Sequence, residues 1–149
     1  MTAINQIKKL RLETSAAVMD VKRALEESDG DLERAKKLLQ ERGVAKAAKK
    51  SDRAAVDGLV ATYVHATGKI ASMVELFCET DFVARTEDFQ NLAQELAMQV
   101  AAADPKDSSE LLEQEYIREP SKAVQDLINE VIAKVGENVK VGRIVRFQI

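Results

Sequence analysis

The sequence predicts an α+β protein: a three-helix bundle first, then a helical linker, then a small core domain whose three-stranded antiparallel sheet packs on helices. Two patterns carry this. Apolar residues recur every three to four positions up to Leu39 and again after Thr86, which is the spacing of amphipathic helices. Between Gly58 and Cys78, and again from Val139 to Ile149, the period shortens towards two, as on a half-buried strand. A chain with 46% apolar and 32% charged residues has enough apolar surface to fold around cores of its own.

Each element has its own signature. Ile4, Ile7 and Leu10, with Thr2 as the cap, predict a short first helix ending near Thr14. Val18, Val21, Ala24 and Leu25 mark a second helix, stopped by Ser28-Asp29-Gly30. In the third, Asp31 caps the free amides, Leu32, Ala35, Leu38 and Leu39 form the buried stripe, and Gly43 is the expected stop. Residues 1–44 thus form the bundle, and 45–57, rich in Ala and Lys, the linker. The core, 58–149, opens with a β-hairpin over Gly58–Cys78 that turns at Thr67-Gly68. Thr86 caps a helix bearing Phe89, Leu92, Ala93, Leu96, Ala97 and Val100 on one face. A weaker helix is expected over 107–119, up to Pro120, and a better one from Ser121 to Gly136. Val139, Val141, Val145, Phe147 and Ile149 predict the third strand, with Arg143 breaking the alternation.

Composition removes several classes of function. The opening residues carry Lys8, Lys9 and Arg11, with no apolar run of signal-peptide or membrane-spanning length, so a cytoplasmic protein without membrane contact is expected. The single cysteine, Cys78, allows no internal disulfide and no thiolate cluster for zinc. Residues 1–53 hold 13 Lys/Arg against 9 Asp/Glu, whereas 54–149 hold 9 against 16. The basic half intersperses its lysines with Glu26, Glu27, Glu33 and Glu41, the pattern of solvated helices, so no direct nucleic-acid contact is expected. No Gly-rich phosphate loop appears. One histidine, His65, and one cysteine do not make a nucleophile constellation, and no cofactor and no enzymatic activity are expected. His65 reads as a strand residue and Cys78 as core.

Two stretches go beyond periodicity: Leu10-Arg11-Leu12-Glu13-Thr14-Ser15-Ala16-Ala17-Val18-Met19-Asp20-Val21-Lys22-Arg23-Ala24-Leu25, followed by Gly30-Asp31, and Cys78-Glu79-Thr80-Asp81-Phe82-Val83-Ala84-Arg85. Together with Ala45-Lys46-Ala47-Ala48-Lys49-Lys50 and Val135-Gly136-Glu137-Asn138-Val139, in that order, they resemble the elongation factor Ts family over nearly the whole chain. The family usually has glycine where this chain has Ser15 and Ala17, and commonly methionine in place of Val18.

The resemblance implies a translation elongation factor that binds elongation factor Tu carrying GDP and promotes GDP release by disturbing the partner's Mg²⁺ and phosphate site. It implies that the first domain is similar to ubiquitin-associated domains and docks on the partner's nucleotide-binding domain through Arg11, Val18 and Met19. It also implies that Thr80, Asp81, Phe82 and Val83 form the second contact, with Asp81 and Phe82 reaching towards the metal and Phe82 acting as a wedge. Burial and capping preferences alone would make Phe82 core and Asp81 an N-cap. Many members of the family have a core of two similar halves, and this chain resembles the short form. A three-stranded sheet with one apolar face to cover then predicts a homodimer through that sheet, with Cys78 the sole thiol that could reinforce it. The rival from another class is a pure interaction module that docks without remodelling a nucleotide site.

Overall fold

The structure, a computed structural model, describes residues 2–149. Helices α1 (Ala3–Thr14), α2 (Val18–Glu27) and α3 (Leu32–Lys50) close around Leu10, Val21, Ala24, Leu25, Ala35 and Leu39. Thr2 occupies the N-cap of α1 without a capping bond from its side chain, whereas Asp31 accepts from the Arg34 amide at 3.0 Å and starts α3 firmly.

Gly43 does not stop α3. The helix runs unbroken to Lys50, because its first half is buried in the bundle while Ala47 is buried in a second core beyond it. Burial at both ends outweighs the roughly 1 kcal/mol a mid-helix glycine costs.

Strands β1 (Asp57–Val64) and β2 (Ile70–Cys78) form the expected hairpin. After the short helix α4 (Asp81–Ala84), α5 (Glu87–Ala103) begins at Thr86, whose hydroxyl accepts from the Phe89 amide at 3.3 Å. Helix α6 (Ser108–Glu113) is shorter than expected, since Glu115–Tyr116 (β3) and Glu119–Ala123 (β4) pair as a small second sheet. Helix α7 (Val124–Val135) therefore starts later than Ser121, at the point where Asp126 accepts from the Ala123 amide at 2.9 Å. The last strand, β5 (Lys140–Gln148), pairs with β2 and gives the antiparallel order β1-β2-β5.

Register divides this sheet into two faces. Ala61, Val74 and Ile144 stand in one row and Leu59, Leu76 and Val141 in the next, and both rows pack with α5 and α7 around Phe89, Leu96, Ile128 and Ile132. Cys78 belongs to this covered face and is fully buried, its thiol donating to the Thr80 carbonyl at 3.1 Å. It therefore cannot reinforce a dimer through the sheet, since alternation turns it towards the helices. The opposite face carries Val60, Val64, Met73 and Phe147, all exposed.

Arg143 breaks the strand pattern because β5 bulges there. Val74 faces Ile144 and Leu76 faces Val141, which leaves Gly142 and Arg143 opposite Glu75 alone. Glu75 fastens the bulge by accepting from the Arg143 amide at 2.8 Å and from its guanidinium at 2.7 and 3.0 Å. These bonds hold the Glu75 carboxyl down at about 2.

Candidate functional site

The turn after β2 is built to present one ring. Cys78 and Ala84 are buried and Val83 packs half-buried against the core, so the segment is anchored on both sides of Phe82. The Thr86 hydroxyl donates to the Val83 carbonyl at 2.7 Å and closes the turn from below. Phe82, between these anchors, is 78% exposed. Phenylalanine is more often buried than exposed, so this placement runs against the residue's own preference. Core packing, the bland expectation for Phe82, is overturned. The N-cap of α4 is Thr80, and Asp81 is its first residue, half-exposed, with Arg85 Nη2 3.3 Å from its carboxylate.

Thr80 itself is held from outside its own element. Its amide and its hydroxyl both donate to Glu137 Oε1, at 3.2 and 3.1 Å, across from the turn that follows α7.

A second exposed surface lies where α1 turns into α2. Arg11 is exposed, and so are Val18 and Met19 at the first turn of α2, at 44% and 57%. Leu12, which sequence reasoning passed over, is 87% exposed beside them. Its spacing was the available signal: Leu12 falls off the stripe of Ile7 and Leu10, which pack into the bundle while Ile4 is exposed, and so faces outward. Ser15 stands at the end of α1 with φ 54°, a left-handed position that favours glycine. Thr14 helps hold this corner, its hydroxyl donating to the Leu10 carbonyl at 2.6 Å.

Helix α3 joins the two surfaces, since it belongs to both hydrophobic clusters and packs along α7. Between the α1–α2 turn, α3 and α7 lies a cleft of about 290 Å³ with Arg11 and Lys46 on one side and Lys122 and Lys134 on the other. Lys46 reaches Asp20 at 2.7 Å, tying α3 to the start of α2.

Burial pushes the Cys78 thiol up to about 11, so no thiolate is at hand at neutral pH. His65, just past the end of β1, is exposed, with its ring Nδ1 3.1 Å from the Tyr63 hydroxyl. Among the described residues no group of three or more His, Cys, Asp or Glu side chains is placed to hold a metal ion, and no helix is long and apolar enough to cross a membrane.

Comparison with known proteins gives a family. A family model described as Elongation factor TS matches residues 79–149, a span that begins at the Thr80–Val83 turn. The chain is 41% identical to elongation factor Ts of Thermoanaerobacter sp. (strain X514) over 193 aligned positions, covering 99% of this chain and 95% of that one. It is likewise 41% identical to elongation factor Ts of Oleidesulfovibrio alaskensis, over 96% of this chain and 95% of the relative. The chain belongs to the elongation factor Ts family.

Within that family its size differs from one relative to another. The 193 positions aligned with the Thermoanaerobacter elongation factor Ts exceed the 149 residues here, so that relative carries residues between the aligned ones that this chain lacks. Against elongation factor Ts of Clostridium botulinum (strain Okra / Type B1), 47% identical over the full length of this chain, the match spans only 48% of the relative.

Proposed function

We propose that this chain is a guanine nucleotide exchange factor of the cytoplasm that binds elongation factor Tu carrying GDP and speeds GDP release. The observation that carries the reading is Phe82, an apolar ring held out from an anchored turn with the Asp81 carboxylate next to it. Inserted beside the partner's nucleotide site, the ring displaces elements that hold Mg²⁺. Loss of that cation removes the positive charge that neutralises the diphosphate. Nothing is consumed, and by linkage GDP weakens the factor's binding by the same ratio as the factor weakens GDP's.

In this reading residues 1–44, similar to ubiquitin-associated domains, dock on the partner through Arg11, Val18 and Met19. Residues 45–57, which are the end of α3, the stretch after it and the first residue of β1, connect the bundle to the core, 58–149, which carries exchange through Thr80, Asp81, Phe82 and Val83. The factor holds no cofactor of its own, since the metal and nucleotide belong to the partner.

The same core is proposed to pair with a second copy through the outer sheet face, where Val60, Val64, Met73 and Phe147 stand uncovered. Each dimer would then serve two elongation factor Tu molecules. Light scattering tests this part: a dimer mass that falls to a monomer's in Met73→Lys supports it, and a monomer mass at every concentration sinks it.

Exchange is tested by stopped-flow release of fluorescent GDP from bacterial elongation factor Tu, with and without the factor. Acceleration that saturates with factor concentration is the expected result. Binding without acceleration would leave a docking module in its place.

A further inference from the structure

The turn between α7 and β5 sends two adjacent side chains to the two segments on which the proposed activity depends. Glu137 goes one way and accepts both the amide and the hydroxyl of Thr80, at 3.2 and 3.1 Å. Asn138 goes the other. It is buried, with its amide nitrogen donating to the Arg53 carbonyl at 2.7 Å and the Ser51 carbonyl at 3.3 Å, just where α3 gives way to the strand. Its backbone amide donates to Glu79 Oε1 at 2.7 Å, and Arg53 lies 3.7 Å from the same oxygen. Glu79, Thr80, Glu137, Asn138 and residues 51–53 therefore form one connected polar knot, though they lie far apart in sequence.

Asn138 is buried beside Val139 but is not itself a member of the apolar core that Val139 and Ile132 belong to. What the knot adds is geometry: it fixes the exit of α3, and with it the bundle, relative to the Thr80–Val83 turn. We propose that Glu137 and Asn138 are positioning residues for nucleotide exchange, Glu137 holding the Phe82 turn in its presented form and Asn138 holding the end of α3. This rests on the exchange reading above. It predicts a division of labour in which Glu137 governs the rate in the bound complex and Asn138 governs the concentration at which the complex forms.

The test uses the full chain in the stopped-flow release of fluorescent GDP from elongation factor Tu, over a range of factor concentrations. Glu137→Ala is expected to lower the saturating rate about tenfold, the worth of a charge-assisted hydrogen bond, while half-saturation shifts less than about twofold. Glu137→Gln keeps an oxygen acceptor for Thr80 and is expected to recover most of the rate. Asn138→Asp, which turns a donor into an acceptor against two carbonyls, is expected to raise half-saturation about tenfold and spare the saturating rate. In a Phe82→Ala background Glu137→Ala should cost nothing further, because it acts through the same ring.

An independent readout needs no partner: trypsin cleavage after the exposed Arg85 should run about tenfold faster in Glu137→Ala than in wild type, because the turn opens more often. If wild type accelerates release but Glu137→Ala is equally fast and equally resistant to trypsin, the positioning role is overturned and the exchange reading stands. A loss in Glu137→Ala that simply multiplies with that of Phe82→Ala overturns it as well. If trypsin sensitivity rises as expected while wild type fails to accelerate release, it is the exchange reading that falls, and the role in exchange with it. Should Glu137→Ala melt below the assay temperature, Thr80→Val removes the hydroxyl donor from the other end, and an undiminished saturating rate there overturns the proposal.

Discussion

Phe82→Ala separates contact with a partner from support of the fold. Truncating a fully buried phenylalanine costs about 3–5 kcal/mol. Phe82 leaves only about a fifth of its surface covered, which scales the cost below about 1 kcal/mol. In a chain of this size that lowers the melting temperature by no more than about 3 °C. The partner-facing effect is larger. A phenylalanine buries roughly 150–250 Å² when enclosed, and burying even half of the exposed part at ~25 cal/mol per Å² is worth about 2 kcal/mol. If the ring goes dry only when the nucleotide site has been opened, the saturating rate of GDP release should fall roughly thirtyfold with half-saturation little changed. Stopped-flow release of fluorescent GDP, paired with a thermal melt, measures both. An unchanged rate refutes the wedge. A rate loss accompanied by a melting shift of 10 °C or more would mean that the ring supports the fold, contrary to its exposure.

Three further expectations concern the scaffold. Gly58 has φ +147°, and a Cβ there would lie 2.0 Å from the Leu76 carbonyl oxygen, so Gly58→Ala should destabilise by at least about 2 kcal/mol in urea unfolding; an unchanged midpoint would refute the close approach. Gly43 has open space around it in mid-helix, so Gly43→Ala should raise stability by about 0.5–1 kcal/mol, and a loss would mean that α3 needs the glycine. Glu75 is held at about 2 by the Arg143 side chain, below its ordinary 4.5. Its contribution is therefore complete above pH 4.5 and drains away as pH falls towards 2, so the stability difference between wild type and Glu75→Gln should narrow across that window. A difference independent of pH would show that the carboxylate charge does not hold the bulge.

Much of the architecture could be read from periodicity because its elements are amphipathic and face one core each. Helix α5 and the β1–β2 hairpin are of this kind. Reading failed where distant packing decides. Nothing local says that Gly43 will be carried through by Ala47 docking in a second core, or that residues 119–123 will pair with Glu115–Tyr116 instead of joining α7. Arg143 was visible as a break in alternation, but its cause, a bulge fastened by Glu75, requires the register. At the candidate site the residues were singled out through resemblance, which also called for an outward Phe82, whereas the residues' own preferences did not. Burial preference pointed inward, and only the anchoring of Val83 and Ala84 turns the ring out. Ser15 shows the converse: its left-handed backbone gives a structural reason why glycine is common there in the family this chain resembled.

Because α3 is a single rod shared by both hydrophobic clusters, changes in its length are not graded. Each residue inserted between Leu39 and Ala47 would advance the far end by 1.5 Å and turn it by about 100°, carrying Leu12, Val18 and Met19 around the helix axis away from the side they occupy. One insertion would thus point the bundle in a new direction, while seven, close to two full turns, would restore its facing at a reach about 10 Å longer. Loops elsewhere in the chain can lengthen by ones and twos; this segment should change only in steps of whole turns.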